Sequence, residues 1–432
     1  MCAQISASLR QLADSRAEKV GFTRFFRNDR VTAAEILKTC AARTAQAAAG
    51  RDVLVIQDTS EVNYQSKAGR KRGLGRVGNG KDAGLFVHPA LVVDTADGSV
   101  LGLAGATIWR RDKVKAANYQ SLPIEDKESN RWLVTPMAAR AALAQAASIT
   151  VVADREADIY ELFARLPDAR THVLIRATRD RALAQGDKRL FATIAAQPEA
   201  GRLAFDLEGR PGRQAREVTL AVRFCTLTLR QPRAGADPSD PKQITLNLVE
   251  VSEIDPPPGE DPILWRLLTT HEVTSLEDAR RIVDLYRMRW NIEQLFRALK
   301  SQAIDLEDSF LADGSALENL AATALNAACM VMQLVQARGQ AGHAVKASRL
   351  FNPPQIKVLK ALVIKYQGKT DKQKNPHPPG SLAWAAWVVA RLGGWNGYAS
   401  ERPPGPITFA RGLKRFHAVA QGYALASNGK YS

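Results

Sequence analysis

Cysteine is scarce: the 432-residue chain holds four, Cys2, Cys40, Cys225 and Cys329. They are far apart, form no CxxC pair and have no histidine at ligand spacing, so neither a disulfide framework nor a zinc site is indicated. They read as reduced, mostly buried thiols. No apolar run reads as long enough to span a bilayer, and the N-terminus lacks a signal-peptide core, so no membrane partner is expected and a cytoplasmic location is. There is no internal repeat. Negative charge is also short: 44 acidic residues stand against 60 basic ones, a net +16. Such an imbalance points to an extended polyanion as partner, nucleic acid first. At 45% hydrophobic, a chain of this length can bury a large core in two or three domains.

The first fifty residues read as helices, with Thr32 and Glu35 spaced as a capping box ahead of AAEILKTCAARTAQAAA. VLVIQD, residues 53 to 58, is a short apolar run ending on a carboxylate, as expected of a buried strand whose last residue emerges at the sheet edge. KAGRKRGLGRVGNGK follows, with Lys67, Arg70, Lys71, Arg72, Arg76 and Lys81 interleaved with glycines, and reads as a mobile basic loop. Gly73 to Gly78 match GxGxxG, but the strand-like LFVHPALVVD comes next and no helix follows to aim at a pyrophosphate, so a dinucleotide site is rejected. That strand and SVLGLAGATIW fit an antiparallel pair turning at Asp97 and Gly98. Residues 125–148 read as helical. SITVVAD ends at Asp154 and leads into EADIYELFARL, a strand-to-helix step of an α/β layer. From about 165 to 275 the texture is a mostly antiparallel β insertion. Helices at about 316–338, in SLAWAAWVVARLGG and at about 407–425 close the chain.

Residues 281–300, RIVDLYRMRWNIEQLFRALK, form the stretch around which the rest is read. As one continuous helix it places Tyr286, Arg289, Glu293 and Lys300 within an arc of roughly 60°. Leu285, Met288, Ile292, Leu295, Phe296 and Leu299 take a separate core-facing stripe. Asp58, Asp154 and Glu293 are then two acids at strand ends and one on a helix. Such acids repel unless hard divalent cations lie between them, the arrangement of a two-metal phosphodiester site. Each has a simpler reading: Asp58 capping the turn before Thr59, Asp154 capping the helix after it, Glu293 pairing with Arg289.

The spacing Tyr286, two residues, Arg289, three residues, Glu293, six residues, Lys300 resembles the Y-R-E-K signature of bacterial insertion-sequence transposases of the IS-four type, the Tn-five-like group. LVIQDTS resembles that family's first-Asp strand and ADREADIY its second-Asp segment; EDKESNRW and GSLAWAAWVVARLGG are similar to it as well. The resemblance implies an α/β fold: a ribonuclease H-like catalytic core with a mostly antiparallel β insertion, flanked by N-terminal helices and a helical C-terminal domain. The implied division is 1–50, a partial DNA-binding region; 51–340, the catalytic domain; and 341–432, a dimerisation domain.

By the same resemblance, Asp58, Asp154 and Glu293 are the catalytic triad, holding Mg²⁺ with Mn²⁺ able to substitute, and Tyr286, Arg289 and Lys300 hold phosphates of the transposon end. Trp265 matches a tryptophan that stacks on an extruded base, against the plain alternative of a core aromatic. Arg176 matches a DNA contact, against that of a surface cation near Asp180. Implied partners are double-stranded DNA, as transposon ends and as target, and a second copy in a synaptic homodimer. The implied activity is cleavage of the ends and joining of the 3′-hydroxyl to target DNA. TRFFRNDRVTAAEIL resembles only the latter part of the family's longer N-terminal region, so a truncated inhibitor that binds DNA or pairs with full-length transposase is the alternative. A related nuclease without strand transfer would leave the Y-R-E-K stripe unexplained.

Overall fold

A computed structural model describes residues 6–111, 119–186, 188–207, 214–300, 304–398 and 400–428. The chain forms two compact units, each assembled from separated stretches. One takes Met1–Ala47, Thr59–Lys113 and Asn291–Ser432; the other takes Ala48–Asp58 and Val114–Trp290. The strands are β1 (Asp52–Gln57), β2 (Ser60–Asn63), β3 (Gly75–Val77), β4 (Asp82–Asp94), β5 (Val100–Trp109), β6 (Ser148–Ala153), β7 (Thr171–Arg176), β8 (Gly201–Leu207), β9 (Arg216–Arg230), β10 (Gln243–Glu253) and β11 (Leu264–Thr269). The helices are α1 (Leu9–Leu12), α2 (Arg16–Phe26), α3 (Ala33–Ala48), α4 (Arg131–Ala142), α5 (Tyr160–Arg165), α6 (Leu190–Ala195), α7 (Leu276–Arg287), α8 (Asn291–Lys300), α9 (Gly314–Ala337), α10 (Pro353–Tyr366), α11 (Leu382–Leu392) and α12 (Pro406–Asn428).

In the second unit the strands run in the order β1-β6-β7-β11-β10-β9-β8. β1, β6 and β7 are parallel; β7 to β11, and then β10, β9 and β8, pair antiparallel. The apolar runs of β1 and β6 are buried almost throughout, as parallel strands covered on both faces require. THVLIRA therefore belongs to the parallel part rather than to the antiparallel insertion, because Val173, Leu174 and Ile175 are consecutive and all fully buried. The antiparallel part begins at β8.

In the first unit, β4 and β5 form a long antiparallel pair, whose turn rests on Gly98 at φ +70°. β2 and β3 also pair with β4. The Gly73–Gly78 segment holds β3, in keeping with rejection of a dinucleotide loop. α9 packs against β5, and Gln333 Nε2 donates to the Val100 and Leu101 carbonyls at 3.2 and 3.0 Å. At its other end, Asn319 Nδ2 donates to Phe26 O (3.1 Å) and Val31 O (2.7 Å), tying down the α2–α3 connection. With 24 residues and a window of mean hydropathy 1.4, α9 is long and apolar enough to cross a membrane, which corrects the expectation that no such run exists. Its window is 78% buried inside the protein; a helix packed on every side is apolar on every side. α11 and α12 meet where a Cβ at Gly412 would overlap the Val389 carbonyl.

Two more expectations meet the structure here. Glu35 N donates to Thr32 Oγ1 at 3.2 Å, so the α3 cap forms. Cys40 and Cys329 are buried and Cys225 half-buried, all as free thiols, while Cys2 lies outside the described residues.

Candidate active site

Register alone gathers most of the site. Ile56 pairs with Val152, so Asp58 and Asp154 each stand two residues beyond the last paired positions of neighbouring parallel strands. Strands in a sheet lie about 4.8 Å apart, and the carboxyl ends of parallel strands are where α/β sheets place ligands. Ala153 pairs with Ile175, which puts Arg176 at the same edge one strand over. β11 is antiparallel to β7, Leu267 facing Arg176, so its first residues, including Trp265, start from that edge.

The remaining side chains come from α7 and the turn after it. Ser275 and Asp278 cap α7 reciprocally, and its apolar stripe ends at Leu285 and Tyr286, both buried. Tyr286 Oη donates to Asp154 Oδ1 at 3.3 Å, and its ring meets that of Trp265 edge-on, with centroids 5.3 Å apart. Burial first, and then the charge of Asp154, push the Tyr286 phenol up to about 12. Met288–Trp290 form a 3-10 turn, so the stretch read as one helix is two. Hydrophobic periodicity does not register such a tightening. It falls on Arg289, whose guanidinium is fixed at both ends: Nη1 donates to Asp58 Oδ2 at 3.3 Å and Nη2 lies 3.9 Å from Asp154 Oδ2.

Asp154 uses its oxygens unequally. Oδ1 accepts from the Arg155 backbone N–H at 2.8 Å and from Tyr286, and Arg176 Nη1 stands 4.0 Å away. The turn-capping alternative for Asp154 is therefore also realised, through the same oxygen. Arg176 is steadied by donating to the Leu264 carbonyl at 2.9 Å. Trp265 is half-buried, and Asp58 and Asp154 keep 27% and 33% of their side chains accessible.

Residues 131–330 match the transposase DDE domain family. The DDE match begins after Asp58 and takes in Asp154, Arg176, Trp265, Tyr286, Arg289, Glu293 and Lys300. Of these, Glu293 and Lys300 lie in the first and last turns of α8, in the first unit, whose last stretch begins at Asn291, and both are half-buried. α8 buries Ile292, Leu295 and Leu299, as its apolar stripe requires. Among the described residues, no group of three or more His, Cys, Asp or Glu side chains is gathered as a metal site. The donor chemistry of Asp58 and Asp154 nevertheless fits a hard divalent cation. They are oxygen ligands at one sheet edge, and a single guanidinium already bridges their charges.

Sequence reasoning missed two features of this region. Asp158, in the ADREADIY segment, is buried and accepts from Thr178 N (2.9 Å), Arg179 N (3.0 Å) and the Arg181 guanidinium (2.8 and 2.6 Å). It locks the turn after Asp154 to the strand end that carries Arg176. The signal was a second acid four residues past the first and a cation-rich RATRDR downstream, since buried charges are nearly always paired. The second feature is Trp290, exposed beside Arg289.

Proposed function

We propose that this chain is a DNA transposase with a ribonuclease H-like core. It would cut transposon ends by metal-dependent hydrolysis and join the freed 3′-hydroxyl to target DNA. The observation that carries this reading is the pair Asp58 and Asp154 at adjacent parallel strand ends, sharing Arg289, in a chain with a transposase DDE match. Glu293 enters as the third acid on the spacing of the signature, four residues past Arg289. These acids would hold Mg²⁺, or Mn²⁺ in its place, which supplies a water of lowered pKa and charge neutralisation at the phosphate.

The protein's own groups divide the remaining work. Tyr286 and the Arg155 amide hold Asp154 through Oδ1, leaving Oδ2 turned towards Arg289. Arg289 offsets the two carboxylates. With DNA bound, Arg289 and Arg176 are the cations at hand for phosphate oxygens, as guanidinium forks suit, and Lys300 joins them by signature spacing. Trp265, with its edge on Tyr286, offers a half-buried face for an extruded base. Pairing of two copies is assigned to the helices after residue 341.

The test uses duplexes bearing the inverted repeats that flank the gene. Asp154→Asn is expected to abolish Mg²⁺-dependent nicking while retaining DNA binding; full nicking by that variant would sink the assignment. The inhibitor alternative requires no ordered acids, so the Tyr286 and Arg289 contacts to Asp154 favour the enzyme.

A further inference from the structure

The basic segment expected to be a mobile loop is instead clamped, and what it is clamped to leaves an aromatic ring in solvent. Residues 65–81 contain Lys67, Arg70, Lys71, Arg72, Arg76 and Lys81 and no acid. Gln65–Arg70 form a 3-10 helix and Gly75–Val77 a strand. Lys71 sinks inwards, its Nζ donating to the Ser309 and Leu311 carbonyls at 2.8 Å each and lying 4.6 Å from the centroid of the Tyr64 ring. Arg72 N donates to Ala312 O at 2.7 Å and Gly314 N to Arg72 O at 2.9 Å. Those strands of chain approach so closely that a Cβ on Gly314 would overlap the Gly73 carbonyl. The segment and residues 306–314 are thus one rigid ledge within a single unit.

Between the two carbonyls that hold Lys71 lies Phe310, and it is 66% exposed. Lys67 stands 4.9 Å from the ring centroid and is ion-paired with Asp308. The ledge's other acids are also engaged: Asp313 with Arg27 at 2.5 Å, and Glu307 with the Asn63 amide at 3.0 Å. Arg70 and Arg72, the chain neighbours of Lys71, are exposed, and neither side chain carries an ion pair among the described residues. Phe310 is thus a phenyl ring held in water on a rigid support. A flat ring backed by one cation, on a ledge that also carries the exposed Arg70 and Arg72, has the composition of a stacking platform for a base with phosphates alongside.

We propose that this ledge is a nucleic-acid contact surface in its own right, with Phe310 stacking on an unpaired base and Arg70 and Arg72 meeting the adjoining phosphates. It rests on the reading above only in taking DNA as the polymer. The ledge would select DNA with single-stranded character, such as the tail of a cut end.

The experiment titrates the full chain with a blunt duplex and with the same duplex carrying a single-stranded tail that includes 2-aminopurine. It is run in EDTA across a KCl series. Phe310→Ala is expected to weaken tailed DNA roughly tenfold and blunt DNA little, Phe310→Trp to restore binding and 2-aminopurine quenching, and Arg70→Ala with Arg72→Ala to lower the salt slope by about one to two. Unchanged tailed-DNA affinity and salt slope would overturn the proposal. So would loss of self-association in Phe310→Ala with DNA binding intact, which would make the ring a contact between copies. Nicking by the unmutated chain in Mg²⁺ is scored separately. Nicking with a silent Phe310 removes this surface and leaves the transposase reading, and a Phe310 effect without nicking does the reverse.

Discussion

Asp154 is held by one oxygen and presented by the other, and one of the two groups that hold it is a buried phenol. Removing that O–H in Tyr286→Phe leaves the ring against Trp265 and leaves the Arg155 amide to hold Oδ1 without the phenol. A hydrogen bond to a charged group is worth about 1.5–3 kcal/mol, so cleavage rate is expected to fall roughly tenfold or more and the Mg²⁺ requirement to rise. Single-turnover nicking across a Mg²⁺ series reads both, and a wild-type profile would show that the strand and the Arg155 amide place Asp154 without the phenol.

Elsewhere in the same unit, His271 lies stacked on His172 with ring centroids 4.0 Å apart, its Nε2 2.8 Å from Thr150 Oγ1. Burial, then His172 and Arg281, hold it down to about 3 against an ordinary 6.5. The folded protein keeps it neutral while the unfolded chain takes a proton below about 6.5. Its contribution to stability is therefore whole above that pH and is lost as pH falls towards 3, by at most about 1.4 kcal/mol per pH unit for one proton. Thermal midpoints measured from pH 7 to pH 4 should drop, and His271→Gln should flatten the fall.

At the scale of elements, the turn between β6 and α5 is the most exacting piece, because a fully buried charge pair fixes it. Deleting one partner of such a pair costs about 3–5 kcal/mol, so Asp158→Ala is expected to lower the denaturant midpoint markedly and abolish cleavage with it. A midpoint like that of the parent would mean that the turn holds without Arg181. Asp58 and Asp154 were legible as acids closing short apolar runs, because strand ends announce themselves in local sequence. Arg289 and Tyr286 stood out by the spacing that carries the resemblance, but their contacts to Asp58 and Asp154 did not. The 3-10 turn at Met288–Trp290 was not legible, since a tightening of three residues leaves the apolar stripe intact on both sides. Nor were the Asp158–Arg181 pair and the clamping of Lys71. Those partners are 23 and about 240 residues apart, and only tertiary structure brings them together. Burial also lowers the Lys71 ammonium to about 8, something a count of lysines does not reveal.

For the whole molecule, a net +16 predicts duplex binding whose affinity falls linearly with salt on logarithmic axes, by about 0.9 per phosphate neutralised. Chelating divalent metal should leave that line in place while stopping cleavage. Binding insensitive to salt would argue that the excess charge serves something other than DNA.

The discontinuous build of the first unit sets a timetable. β4 and β5 leave the ribosome early, yet α9, which packs on β5, begins about two hundred residues later, a wait of roughly 10–40 s at ordinary elongation rates. The ledge waits as long, because residues 306–314 arrive only just before α9. Through that interval the nascent chain carries an uncovered apolar hairpin beside an unclamped cluster of cations. The unit can close only after the second unit's last helix, α7, has been made, so a chain terminated before α9 is bound for chaperones or aggregation.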